Sequence, residues 1–163
     1  MKVVPFAMLT IVAVALSGAS HIQSTQNKNA ASDLAVSGKE RLIGAWRLAS
    51  MAGPDGKPVS ANTQPAGILI YTRDGHMSVQ LMYPRSANVG SNEYVLNGYE
   101  ASFGGYDVDE ATHTVTHHVQ GSITRDLLVG KDLPRVYQFS PDGHLIIRSA
   151  RPDEHWSVTW AHY

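Results

Sequence analysis

The chain of 163 residues contains no cysteine, and it has no excess charge of one sign, with 13 basic residues against 14 acidic ones. The first absence excludes a disulfide framework, thiolate metal ligands and a cysteine nucleophile. The second excludes a general basic surface for nucleic acid or for an anionic membrane. A serine nucleophile elbow, a phosphate loop and a His-Glu-x-x-His zinc motif are also missing. The fold must therefore depend on its hydrophobic core alone.

The chain also lacks an apolar run long enough to span a membrane. Its longest apolar run lies at the amino terminus. Lys2 is followed by residues 3–16, which are apolar apart from Pro5 and Thr10, and then by small residues at 17–20. This run is shorter than the ~20 residues that span a bilayer, which argues against an uncleaved membrane anchor. The pattern predicts a cleavable export signal over residues 1–20 and a periplasmic or secreted protein with no stable membrane insertion after cleavage.

Composition divides the rest of the chain into two parts. Residues 21–37 are rich in Gln, Asn, Ser, Thr and Ala, without an apolar period. Such a segment cannot bury enough surface to offset its ordering entropy, so we predict a flexible linker. Residues 38–163 then form one domain.

Turn signals and short β-rich segments dominate this domain. Asp-Gly pairs preceded by Pro or Arg occur at 54–56, 73–75 and 141–143, and these residues favour tight turns. Eight segments rich in β-branched and aromatic residues are candidate strands: 43–51, 66–72, 76–83, 105–109, 112–120, 135–140, 144–149 and 155–162. This spacing is typical of a β-sandwich or barrel, and we predict an all-β, antiparallel up-and-down barrel of about eight strands.

One segment indicates a short helix instead. Ser91 or Asn92 can cap a helix that runs to about Phe103 and ends at Gly104-Gly105. Its apolar residues follow 3.6-residue spacing at positions 95, 96, 99 and 103. We expect this helix to lie over one end or one wall of the barrel.

Alternation along the strands predicts which side chains face inward. The 66–72 segment is apolar on both faces, so we expect it to be covered on both sides. In 76–83 the apolar set Met77, Val79 and Leu81 suits a core, but a partly polar lumen would invert that face. The remaining inward residues are predicted to be His113, Val115, His117 and Val119, then Tyr137 and Phe139, then Trp156, Val158, Trp160 and His162.

Eight strands enclose either a filled interior or one small ligand. An aromatic lining with few charges suits a small hydrophobic or aromatic molecule, whereas the alternative is a solid aromatic core in a protein that acts through its surface. His117 is the predicted polar anchor, and Arg125 in a rim loop is a second candidate, for a ligand carboxylate. The candidate ligand-binding residues are Trp46, Tyr71, Tyr99, His117, Tyr137, Trp156 and Trp160.

The eight histidines do not form a metal-binding pattern. His113 and His117 lie four residues apart, about 13 Å along a strand, and no His-x-His pair exists. We therefore predict no metal site and no cofactor, although His117 alone would suffice as a haem ligand. The catalytic alternative is a small-molecule isomerase or cyclase in which an inward His117 and a tyrosine act as general acid and base.

Four stretches of the chain also resemble one family. They are residues 42–48, with a Gly44-x-Trp46 motif, and residues 69–80, 103–109 and 114–122. In this order they resemble the lipocalin-like domain proteins of bacteria and fungi. The resemblance implies a small antiparallel barrel with a small-molecule cavity and no general set of catalytic residues. One departure is that lipocalins pack an Arg near the last strand against the first-strand Trp, whereas Arg148 and Arg151 precede that strand here.

Overall fold

Eight antiparallel strands form one closed barrel, as predicted. The computed structural model describes residues 36–163, so the predicted export signal and nearly all of the predicted linker lie outside the described residues. Each strand pairs with the next, and the last pairs with the first. The strands are β1 Gly44–Ala52, β2 Ala66–Tyr71, β3 His76–Met82, β4 Tyr99–Asp109, β5 Thr114–Ser122, β6 Asp132–Phe139, β7 Leu145–Ser149 and β8 Ser157–His162.

The two ends of the barrel differ in their connections. At the turn end, β2–β3, β4–β5 and β6–β7 are joined by tight turns at 72–75, 110–113 and 140–144. Gly75 and Gly143 take φ values of +89° and +85° there, which only glycine adopts without strain. At the loop end, the longer segments 53–65, 83–98, 123–131 and 150–156 connect the strands. The longer connections at the loop end can therefore contribute residues to a binding site.

A short helix, α1 Gly38–Leu42, is bonded to the turn end. The Glu110 carboxylate accepts hydrogen bonds from the backbone N–H groups of Gly38 (3.0 Å) and Lys39 (2.8 Å). Trp46 Nε1 donates to Leu42 O at 2.8 Å, and the Leu42 side chain is fully buried. One short helix is thus confirmed, but not where the apolar spacing predicted it. None of the helices in residues 36–163 is long and apolar enough to cross a membrane.

The helix predicted from residue 91 to residue 103 is wrong. Residues 91–98 are irregular, and Tyr99 begins β4, opposite Met82 of β3. Asn97 and Gly98 take positive φ values of 52° and 82°, which end any helical path. Pairing with β3 and β5 therefore outweighs the helical spacing of the apolar residues.

The predicted faces of β5, β6 and β8 are mostly correct, and the structure decides the face of β3, which the sequence left open. Met77 and Leu81 are buried, so the apolar side of β3 faces inward. His113 is an exception, because it is exposed and takes a φ of +52° before β5 begins. Ile68 and Ile70 lie on the outer face of β2, partly exposed, and no helix among the described residues covers them. The inward residues that are buried as predicted are Val115, His117, Val119, Tyr137, Val158 and Trp160.

A histidine of β8 contacts the tryptophan of β1. The ring of His162 meets Trp46 edge-on, with the ring centroids 4.6 Å apart. Arg148 and Arg151 lie at the other end of β8, in line with their positions in the sequence. His162 was predicted to face inward, but it is exposed at the end of β8.

Candidate functional site

A cavity of about 140 Å³ opens among the inward side chains at the loop end of the barrel. Aliphatic residues make up about half of its lining, and the others are aromatic or polar. The wall comes from several strands because alternate residues of each strand point inward. The aliphatic residues are Met51, Leu69, Val79, Leu81, Leu133, Ile147 and Val158.

Aromatic rings form a second part of the wall. Trp156 and Trp160 line the cavity from β8 and the segment before it, and Tyr83 and Tyr94 line it from the β3–β4 connection. The rings of Tyr94 and Trp156 pack edge-on with centroids 6.3 Å apart. Such rings give large apolar contact with a defined geometry, which suits a flat or apolar ligand.

His117 faces the cavity as a neutral group. Its Nε2 lies 2.6 Å from the Tyr71 hydroxyl, and both residues are buried. Burial lowers the pKa of His117 to about 3, and the positive charge of Arg135 contributes in the same direction. Burial also raises the pKa of Tyr71 far above its usual value. At neutral pH the two residues are therefore joined by one hydrogen bond, and neither carries a charge.

Arg135 and Glu100 bring opposite charges into the same cavity. Arg135 is only 6% exposed, and its Nη1 donates to Pro134 O at 3.1 Å. Its guanidinium carbon lies 5.0 Å from the centre of the Trp156 ring and 5.2 Å from that of Tyr94. Burial raises the pKa of the Glu100 carboxyl to about 7, even though the charge of Arg135 opposes the rise. Glu100 therefore exchanges its proton near neutral pH.

Residues 91–98, which we call the lid, lie over the mouth of the cavity. Asn92, Tyr94 and Val95 of the lid line the cavity, and Val95 is buried. Arg151, from the β7–β8 connection, fixes the lid from outside. Its Nη2 donates to Glu93 Oε2 at 2.9 Å and also to the Tyr94 hydroxyl. Backbone hydrogen bonds at its carboxyl end, from Tyr83 N–H to Gly98 O and between Leu96 and Tyr99, hold the lid together with this side-chain contact.

We expect Arg151→Ala to loosen the lid without unfolding the barrel. Losing the charged hydrogen bonds to Glu93 should cost about 1.4 kcal/mol locally, which corresponds to about tenfold faster amide exchange in residues 92–97. Hydrogen exchange followed by mass spectrometry measures this, with exposed Arg148→Ala on β7 as the matched control. Unchanged exchange in the lid would contradict the role given to Arg151.

The structure brings together only some of the predicted ligand-binding residues. His117, Trp156 and Trp160 line the cavity, and Tyr71 lies directly behind His117. Trp46 and Tyr137 are buried at the turn end, where the Tyr137 hydroxyl donates to Glu110 at 3.1 Å. A ligand contact at any of these residues remains a prediction.

Two predicted anchors lie away from the cavity. Tyr99 is 47% exposed on the outer face of the barrel, because β4 turns the next residue, Glu100, inward. Arg125 lies in the β5–β6 connection, where its backbone N–H bonds to Ser122 Oγ, and its side chain does not line the cavity.

Sequence reasoning missed Arg135 and Glu100. The signal for Arg135 was present, since the predicted inward pair Tyr137 and Phe139 extends by one alternation to residue 135. The inward position of Glu100 could not be predicted, because its segment was predicted to be helical. Among the described residues, no group of three His, Asp or Glu side chains is arranged to hold a metal ion.

The architecture agrees with a comparison of the sequence with known families. A family model described as a lipocalin-like domain matches residues 43–161, from the start of β1 nearly to the end of β8. None of the curated proteins compared with the chain matches it. The family match covers most of the chain and agrees with the resemblance of its motifs and with the closed eight-stranded barrel. The chain belongs to the lipocalin-like domain family.

Proposed function

We propose that the protein binds a small hydrophobic or aromatic molecule in its barrel cavity. A lipocalin-like barrel supports small-molecule binding in general. The observation that supports this ligand class is the lidded cavity of about 140 Å³ with aliphatic and aromatic walls. An apolar cavity of about 150 Å³ is large enough for benzene. The ligand we propose is therefore about one ring in size.

The expected affinity follows from this size. A ligand of about nine non-hydrogen atoms, at roughly −0.7 kcal/mol per atom, gains about −6 kcal/mol, which is a Kd of tens of micromolar. The cavity wall is already formed by buried strand residues such as Leu69 and Trp160. Little of this free energy is then needed to order the protein.

Export is part of the proposal. The charged residue, the apolar run and the small residues of positions 1–20 support a signal that is removed after Ala19 or Ser20. The mature protein would then be periplasmic or secreted. The intact mass of the protein purified from its own host measures the cleavage site, and a full-length mass would contradict export.

The catalytic alternative has weaker support. A general base works best when its pKa lies near the operating pH, whereas burial lowers the pKa of His117 to about 3. Burial raises the pKa of its hydrogen-bond partner Tyr71. An isomerase or cyclase that uses this pair would therefore work against both shifts.

Ligand-observed NMR tests the proposal with one-ring probes. Phenol, benzyl alcohol and phenylacetate at millimolar concentration are mixed with the protein, and saturation transfer to each probe is recorded. We expect at least one probe to bind with a Kd below 1 mM. The absence of binding by every probe would contradict the proposed function. Conversion of a probe into a new compound would instead favour the enzyme.

A further inference from the structure

We infer that the ligand is an acid, a compact aromatic or apolar carboxylate whose anionic group binds the Arg135 guanidinium inside the cavity. The inference rests on the proposed function, because it names the chemical class of the molecule that the cavity binds. It rests on four observations: the burial of Arg135, its unused donors, the state of the neighbouring Glu100 and the size of the cavity.

Arg135 is a buried cation whose hydrogen-bonding capacity is mostly unused. A guanidinium carries five N–H donors. Arg135 Nη1 donates to Pro134 O, and the guanidinium also lies close enough to the Tyr94 hydroxyl to lower the pKa of Tyr94 by hydrogen bonding. No carboxylate within residues 36–163 forms an ion pair with it. Arg135 is nevertheless 6% exposed and lines the cavity. A buried charge is costly unless it is paired, so the arrangement favours an anion supplied from outside.

The neighbouring rings orient Arg135 but do not replace an anion. Trp156 and Tyr94 lie 5.0 Å and 5.2 Å from its guanidinium carbon. Contacts with aromatic faces stabilise a cation by less than the desolvation of a buried guanidinium costs. The same two rings line the cavity, so an aromatic ligand bound at Arg135 would also contact them.

Glu100 is the natural internal counterion, and the structure does not use it as one. Both residues line the cavity, yet no ion pair joins them. Burial raises the pKa of Glu100 to about 7 against the effect of Arg135. Below that pH the protonated carboxyl leaves the charge of Arg135 uncompensated. It also provides an O–H that can donate to a bound carboxylate.

The size and the charge of the cavity favour a monocarboxylate over other anions. The planar fork of one guanidinium matches the two oxygens of a carboxylate. A phosphate dianion would bring two negative charges to a cavity in which Arg135 is the cation and His117 is neutral. A volume of about 140 Å³ is about that of one ring, so it restricts the anion to a compact acid. Benzoate and phenylacetate are probes of this shape.

The test compares phenylacetate with its neutral isostere phenylacetamide by calorimetry at pH 6, where the probe acid is ionised. We expect wild-type protein to bind the acid at least about tenfold more tightly than the amide. In Arg135→Met the acid should lose at least about tenfold in affinity, while amide binding stays within about threefold. Arg148→Met removes an exposed arginine from the neighbouring strand. This matched control should leave both affinities unchanged.

The outcomes separate this inference from the proposed function. Equal affinity of the wild-type protein for acid and amide would overturn the acid inference and leave the proposed function standing. Binding of neither probe would overturn both. The ratio of the acid and amide affinities is measured on the wild-type protein alone. It therefore tests the acid inference even if Arg135→Met does not fold. A folded Arg135→Met that keeps the acid preference would also overturn the inference.

Discussion

Glu100→Gln is expected to raise the free energy of unfolding by about 2 kcal/mol at pH 8. Glu100 lines the cavity, and burial raises its pKa from 4.5 to about 7. Above pH 7 the native protein therefore carries a carboxylate that has lost much of its hydration. Glutamine has nearly the same shape and never ionises, so the variant avoids this cost.

The sign follows from proton binding in the two states. Between pH 4.5 and pH 7 the native state keeps the Glu100 proton, while the unfolded state has released it. The contribution of Glu100 to stability therefore falls as the pH rises through this interval, and it stays low above it. Among the groups near Glu100, the charge of Arg135 opposes the pKa shift but does not outweigh burial, and Tyr83 stays neutral. His117 has the opposite effect, because its lowered pKa makes stability rise with pH up to about 6.5. This contribution is the same in Glu100→Gln and wild type, so it cancels in their difference.

Chemical denaturation of both proteins at pH 5, 6, 7 and 8 measures the effect. The difference between variant and wild type should be smallest at pH 5, grow up to about pH 7 and change little between pH 7 and pH 8. Asp153→Asn is the control, because this exposed carboxyl lies outside the cavity and its removal should not produce the same trend. A difference between variant and wild type that does not change with pH would show that Glu100 titrates normally.

Val79→Phe is expected to abolish ligand binding while the barrel stays folded. Val79 faces the cavity from the middle of β3, opposite Leu69 and Ser102 on the neighbouring strands. An added phenyl ring occupies the space that a one-ring ligand needs in a cavity of about 140 Å³. We expect affinity for such ligands to fall by about 100-fold or more, at a stability cost of roughly 1 kcal/mol because the ring enters an existing space.

Ile70→Phe provides the matched control for this variant. Ile70 lies on the outer face of β2, so it receives a ring of the same kind outside the barrel. Binding of phenylacetate or benzyl alcohol is measured for both variants and for the wild-type protein. Retained binding in a folded Val79→Phe would mean that these molecules bind somewhere else.

The strands were predictable because their signals are local. Turn residues at 54–56, 73–75 and 141–143 separate segments whose apolar residues alternate, and this pattern predicts the antiparallel strands of a β-sandwich or barrel. The predicted helix failed for the opposite reason. Apolar residues at 95, 96, 99 and 103 fit a helical period by spacing alone, whereas pairing of β4 with two neighbouring strands depends on residues far along the chain.

The site was less predictable than the fold. Alternation shows that Trp46, Tyr137 and Trp160 all face inward, but it does not show where along the barrel the interior is filled. Packing across strands decides this: Trp46 and Tyr137 are buried at the turn end, whereas Trp160 borders the cavity. Arg135 could have been found by extending the alternation of β6, but Glu100 required the correct structure of β4.

The three tryptophans of the chain give the most direct test of a ligand in the cavity. Trp156 and Trp160 line it, whereas Trp46 lies at the turn end, with its indole N–H bonded to Leu42 O at 2.8 Å. The measurement is a ¹H–¹⁵N correlation spectrum of the indole N–H groups during titration with phenylacetate and then with benzyl alcohol. We predict that the signals of Trp156 and Trp160 shift together with one Kd while that of Trp46 stays in place. If neither probe moves the two cavity signals, or if the Trp46 signal alone moves, the proposed cavity is not the binding site.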